Sequence, residues 1–361
     1  GIRRHAVVGV LLDSGWDGAL PVAGVLTEEP CPGPVEGALL GARGGADGPS
    51  RWDAASFAER WRLARRRGDK RAERRLLVEV AESNQWCAAL LPVPKTVAVS
   101  HAACARSGAL GRGKRWFGRA ARVSFSTMTT ADAVQHFSAM GQGRQGKVCA
   151  LNFANGQSVG GGYVNGAAAQ EEDLCRRMPT LYASLAGAKE DGLYPFGPGT
   201  RVPAGHPGRY SDVLYTKDVA MARAPPGEGF AFLPRVSPCS LVTAAAPNVR
   251  VGEPYDPALM ADAVESILLA PHVADSCVST LVLGAWGCGA FGGRPEDIAE
   301  LFARALFDRK LGRLYREVHF AIPAKSAGDR NTLEFRGAFA RRGVAIVDLG
   351  AGGGAAARGG A

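Results

Sequence analysis

The sequence predicts an α/β protein of three layers, with helices on both faces of a mixed, mostly parallel central sheet. Three observations carry that reading. From about residue 120, short apolar or β-branched runs alternate with stretches of helical spacing. The runs are apolar on both faces, as strands covered on both sides must be. Two of them lead directly into glycine-rich segments that open helices, the handover where open α/β sheets bind ligands. The expected strands are residues 121–126, 147–154, 239–246, 279–286, 316–322 and 344–349; the expected helices are 130–140, 170–186, 257–270, 295–310 and 331–341. Residues 188–236, aromatic and proline-rich, read as a long excursion lining the site.

Flanking segments read differently. Residues 1–70 are expected to be poorly defined or partly disordered, 71–349 to form the catalytic domain with an N-terminal helical extension, and 350–361, low in complexity, to be a disordered tail. Within this stretch, "ERWRLARRRGDKRAERRLL" (59–77) sets Trp61, Leu63, Leu76 and Leu77 at helical spacing among arginines, and reads as a solvated helix face.

Composition bounds the function. The chain has 361 residues, 46% of them hydrophobic, enough for a substantial core, and its apolar runs are too short to span a bilayer. No membrane association is expected. Eight scattered cysteines without a CxxC pair fit reduced thiols in an intracellular, cytoplasmic or nuclear protein; neither a disulfide framework nor a metal site is expected. A formal charge of +9 favours polyanionic partners. The stretch "GALGRGKR" (108–115) fails as a phosphate-binding P-loop, because Arg115 stands where Ser or Thr must ligate magnesium. No HExxH is present, and no G-x-G-x-x-G is followed at the right distance by the acidic residue closing a second strand that a dinucleotide fingerprint requires.

The chemistry concentrates in "SVGGGYVNGAAAQEEDLC" (158–175). Gly160, Gly161 and Gly162 lie between a strand and a helix, where bare backbone N–H groups can approach an oxyanion and the helix N-terminus adds positive potential. A diphosphate is the natural guest. A second loop of this character, "GAWGCGAFGG" (284–293), follows another strand, and two such loops can hold a diphosphate from both sides. Glu171 and Glu172 fall in the first helical turn. The helix dipole alone favours acidic residues there, but the helix opens straight from the phosphate loop, so both carboxylates should face the same site.

These residues carry a resemblance. GGG, seven intervening residues, then Gln170-Glu171-Glu172 resembles the signature of microbial-type poly(ADP-ribose) glycohydrolases of the macrodomain family; "VTAAAPN" (242–248) and the 284–293 loop are also similar to stretches of that family, with Val159 standing where the family carries proline before the glycines. The resemblance covers roughly residues 120–348 and implies a macrodomain-like fold, no cofactor, and ADP-ribose as product from poly(ADP-ribose) or ADP-ribosylated proteins. It also implies roles. Glu172 would be the general acid/base and Glu171 would orient a ribose hydroxyl; Asn155 would bond the distal ribose; Gly160, Gly161, Gly162 and Gln170 would line the site. Gly287 and Gly289 would contact phosphate, with Ala290 beside them and Phe291 packed on the distal ribose. A monomer is expected. Two alternatives share these loops: an ADP-ribose reader without catalysis, which would lack the Glu pair, and a hydrolase of single ADP-ribosyl groups.

Overall fold

In a computed structural model, residues 52–110, 119–140, 146–197, 211–275, 277–324, 326 and 328–350 are described, all within the compact unit Val35–Ala361. The expectations for residues 1–51 and 351–361, the failed P-loop from residue 111, and residues 198–210 of the excursion lie outside them. The helices are α1 (Ala54–Arg67), α2 (Lys70–Leu90), α3 (His101–Leu110), α4 (Thr130–Met140), α5 (Gln170–Arg177), α6 (Leu181–Glu190), α7 (Pro257–Ala274), α8 (Pro295–Ala303) and α9 (Arg330–Ala340). The strands are β1 (Thr96–Val99), β2 (Arg122–Ser126), β3 (Lys147–Ala154), β4 (Val213–Arg223), β5 (Phe232–Ala245), β6 (Val278–Leu283), β7 (Glu317–Ala321) and β8 (Ile346–Asp348).

The strands form one sheet in the order β1-β4-β5-β3-β6-β7-β2-β8. From β5 to β8 every pairing is parallel, while β4 runs antiparallel to both β5 and β1. Two cores separate the layers. On one face Cys104, Val264, Ile267, Phe302 and Phe335 from α3, α7, α8 and α9 pack against the sheet; on the other, Val134, Leu174, Leu181 and Leu185 from α4, α5 and α6 do so. The three-layer, mostly parallel architecture expected from the sequence is what the chain adopts.

Differences from expectation have local causes. β4 lies inside the supposed excursion. Its apolar run is broken by Lys217 and Asp218, where the strand bulges between Thr216 and Val219 and Asp218 takes φ 53°, so period-two alternation was disguised. The helix expected over 170–186 is two helices, because Pro179 lacks an N–H and excludes Met178 from the α region; Met178 sits at φ −115°, ψ 86°. The helix expected over 295–310 ends as α8 at Ala303 and gives way to a π turn over Arg304–Asp308.

The basic segment is not one helix but a hairpin. Gly68 (φ 65°) closes α1 in the left-handed conformation and the Asp69 side chain caps α2 by accepting from the Ala72 N–H. Phe57, Leu76, Leu77 and Val80 bury its inner face against Phe230. Polar anchoring follows behind that seam. Asn84 Nδ2 donates to the carbonyls of Cys175 and Arg176, groups that the end of α5 leaves unpaired. Arg223, fully buried, donates to Asn84 Oδ1 (2.7 Å), Ser83 Oγ (2.7 Å) and the Phe230 carbonyl (3.0 Å), and lies against the rings of Trp52 and Phe232. Arg223→Ala should therefore leave three acceptors unsatisfied and cost roughly 3 kcal/mol or more. Thermal unfolding checks this; an unchanged melting temperature would mean the hairpin is held by its apolar seam alone.

Candidate active site

A cavity of about 930 Å³ opens at the carboxyl end of the parallel strands. Phe153, Ala154 and Asn155 line it where β3 ends, Ala246 after β5, Trp286 and Gly287 after β6, and Ile322 and Pro323 after β7. The Trp286 indole is buried and fixed by its N–H donating to the Ala244 carbonyl (3.0 Å), which ties the β6 loop to β5.

Both glutamates are buried on its floor, Glu171 at 3% exposure and Glu172 at 6%. They are held in different ways. Glu172 is the third residue of α5: its Oε2 accepts from the N–H of Ala169, the reach-back half of a capping box whose other half the Ala169 methyl cannot supply, and its Oε1 accepts from the N–H of Gly162 (2.8 Å). Glu171 points to the strand, accepting from the Asn155 N–H (2.9 Å) and from Asn152 Nδ2 (3.3 Å). Gly161 lets the loop pass this close. It sits at φ 56°, and a Cβ there would stand 2.7 Å from Glu172 Oε1 and 3.2 Å from Glu171 Oε2.

Burial pushes the Glu171 carboxyl up to about 8 against the pull of the Asn155 N–H, and the neighbouring Glu172 charge adds to the rise. Glu171 therefore holds its proton near neutrality.

The remaining residues divide by position. Gly161, Gly162, Gln170, Asn155, Gly287, Gly289, Ala290 and Phe291 all border the cavity. Gly160 does not; it turns the loop at φ 62°, and a Cβ there would stand 2.8 Å from the Tyr182 ring. Gln170 reaches the cavity, but its carbonyl accepts from the Phe153 N–H and its amide donates to Thr130 Oγ1 and the Leu151 carbonyl, so it splints α5 to β3 and α4. Asn155 Oδ1 likewise turns back to the N–H groups of Gln157 and Ser158. Gly287 needs its positive φ of 76°, and a Cβ there would meet Ala246 at 2.8 Å.

Other lining residues were not singled out one by one from the sequence, although Pro225–Glu228 and Phe230 lie in the 188–236 excursion expected to line the site. Trp61 and Leu77 come from the α1–α2 hairpin, Pro225–Glu228 and Phe230 from the β4–β5 turn, Asp132 from α4, and Arg176 and Arg177 from the last turn of α5. Arg177 pairs with Asp132 and donates to Gln135 (2.7 Å). Outside that excursion only Asp132 had a local signal, a Thr129-to-Asp132 cap straight after a predicted strand. The others reach the site from elements whose packing no local pattern encodes.

The fold and this site define a class: an α/β domain with a buried acid pair set against a glycine loop at a cleft of nucleotide size. Residues 97–224, from β1 to just past β4, match the family described as microbial-type PARG, catalytic domain, bearing out the resemblance read from the sequence. The match includes the first glycine loop and both glutamates. No curated protein matches the chain by sequence. Among solved structures, the poly(ADP-ribose) glycohydrolase of Thermomonospora curvata is 26% identical, with 75% of this chain and 100% of that one covered and a TM-score of 0.57. The Deinococcus radiodurans enzyme in complex with ADP-ribose is 25% identical over 68% of this chain and 95% of that one, at a TM-score of 0.55.

Two outcomes follow from this geometry. Gly161→Val places a branched Cβ against Glu172, so both ADP-ribose binding and carboxylate placement should suffer, with affinity down about tenfold or more; calorimetric titration checks it, and unchanged affinity would dissociate the loop from the ligand. For pH, Glu171 keeps its proton in the folded protein up to about 8 but releases it near 4.5 when unfolded. Its contribution is thus fully present below 4.5 and is lost as pH rises towards 8. Glu171→Gln should flatten that decline in melting temperature between pH 4.5 and 8; an identical pH slope in the two proteins would contradict the burial assignment.

Proposed function

We propose that this protein is a poly(ADP-ribose) glycohydrolase that cleaves the ribose–ribose O-glycosidic bond and releases ADP-ribose. The observation that carries the reading is the buried Glu171–Glu172 pair whose second member is held by the backbone N–H of the glycine loop. The family match over that segment and the likeness to solved glycohydrolases support it.

Glu172 acts as general acid/base. In the substrate complex Glu172 takes up a proton beside the bound diphosphate and passes it to the leaving ribose oxygen as the anomeric carbon takes on oxocarbenium character, and the resulting carboxylate then accepts a proton from the attacking water. Two carboxylates flanking the anomeric carbon from opposite sides, as in most glycosidases, would have to come from separated positions; neighbours on one helical turn divide the work instead. Glu171 orients a ribose hydroxyl. The diphosphate lies along Gly161 and Gly162 on one side and Gly287 and Gly289 on the other, while Phe291 packs on the distal ribose and Asn155 borders it. Fixing the sugar so firmly contributes to rate by holding the scissile bond near the acid.

Glu172→Gln keeps size and hydrogen bonding but removes the transferable proton, so release of ADP-ribose from polymer should fall about 100-fold to 10,000-fold. Affinity for free ADP-ribose should persist. Single-turnover assays beside calorimetric titration read both quantities; a variant as fast as wild type would exclude Glu172 as the acid, and a wild type that binds without cleaving would leave a reader.

A further inference from the structure

We propose that the outer face of the α1–α2 hairpin is a second binding surface, one that holds the diphosphates of polymer units adjoining the unit in the cavity; this rests on the glycohydrolase reading above. The hairpin is a wall of the cavity. Trp61 from α1 and Leu77 from α2 line it. A Cβ on Gly166, just beyond the glycine loop, would fall 2.3 Å from the Arg74 carbonyl, and one on Gly229 would fall 1.9 Å from the Ala54 carbonyl, so both site loops are pressed onto the hairpin backbone. The Trp52 indole N–H donates to the Gly229 carbonyl (2.8 Å).

The outward side of this wall is cationic. Between Arg60 and Arg75 there are nine basic residues against only Asp69 and Glu73. Internal pairing uses some of them: Arg60 with Glu79, and Arg65 and Lys70 with Glu73. Arg62, Arg66, Arg67, Arg71, Arg74 and Arg75 are exposed and have no side-chain partner among the described residues. Their spacing matters. Arg71, Arg74 and Arg75 stand three and four residues apart, on one side of α2, with Arg74 one turn before the cavity-lining Leu77. Unpaired cations three or four residues apart repel one another, which makes the stripe costly unless an anion is bound. Each ADP-ribose unit brings a diphosphate, and guanidinium groups bind phosphate oxygens in pairs. A surface of this sign that starts at the cavity rim therefore fits the chain running on from the bound unit.

The test compares the full chain with a variant carrying Arg71→Gln, Arg74→Gln and Arg75→Gln; all three side chains are exposed, and an unchanged melting temperature verifies the fold. Binding is read on a Glu172→Gln background with long poly(ADP-ribose), a dimeric ADP-ribose oligomer and single-stranded DNA of matching length, across a salt series. Three phosphate contacts at a single-strand slope of about 0.7 each give a log–log salt slope near −2 for long polymer. The triple variant should bind long polymer about tenfold more weakly at low salt with a flattened slope, and the dimer as before. Equal polymer affinity and slope in both proteins would overturn the proposal, as would single-stranded DNA binding these arginines as tightly as polymer does. Turnover on the wild-type background is separate: polymer captured by the arginines but never cleaved would sink the glycohydrolase reading and leave the surface standing.

Discussion

The carboxylate of Glu172 closes a backbone circuit on which the site depends. One oxygen takes the N–H of Gly162 and the other takes the N–H of Ala169, so a single side chain pins the glycine loop to the helix that follows it. Neither segment could hold this arrangement alone. The loop needs an anion to gather its N–H groups, and the first turn of α5 needs an acceptor for its unpaired donors. Gly161 is the geometric condition, since any side chain there would stand where the carboxylate oxygens lie. Loop, helix start and acid are one unit.

That unit is positioned by polar groups within an otherwise apolar frame. Gln170 ties the start of α5 to β3 and α4, and Glu171 ties it again through the Asn155 N–H. At the other end of α5, Asn84 from the hairpin takes the last carbonyls, and Arg176 donates back to the Leu77 and Tyr163 carbonyls. Burying guanidinium groups is expensive without such partners, and burial lowers the Arg176 and Arg223 values from the ordinary one. The satisfied acceptors offset that cost and join the hairpin to α5. Site precision and hairpin docking are therefore coupled.

Electrostatics at α5 sets two tendencies against each other. A helix N-terminus favours ionised carboxylates, whereas desolvation favours neutral ones. At Glu171 desolvation prevails, because the side chain lies among Asn152, β3 and the loop rather than in water. The floor of the cavity can then sit beneath a diphosphate without two full negative charges facing it, while the cations of the outer hairpin face solvent.

The sequence by itself determined the layered α/β class, six of the eight described strands, and the joining of GGG to QEE, because these are encoded by local periodicity and by residues no more than a dozen positions apart. β3 and α4 were legible to the residue, since nothing interrupts their patterns. β4 was not, because its bulge at Lys217–Asp218 breaks the alternation, and α5 and α6 read as one helix until Pro179 is seen to divide them. Gly160 and Gln170 were grouped with the substrate-facing residues by adjacency, whereas one turns against Tyr182 and the other splints three elements. Only the tertiary structure decided that Trp61 and Leu77, far ahead of the glutamates in the chain, form a wall of the same cavity. Their placement depends on the buried Arg223 and Asn84 bridge between distant segments, and an interaction between residues 139 positions apart leaves no local pattern to read.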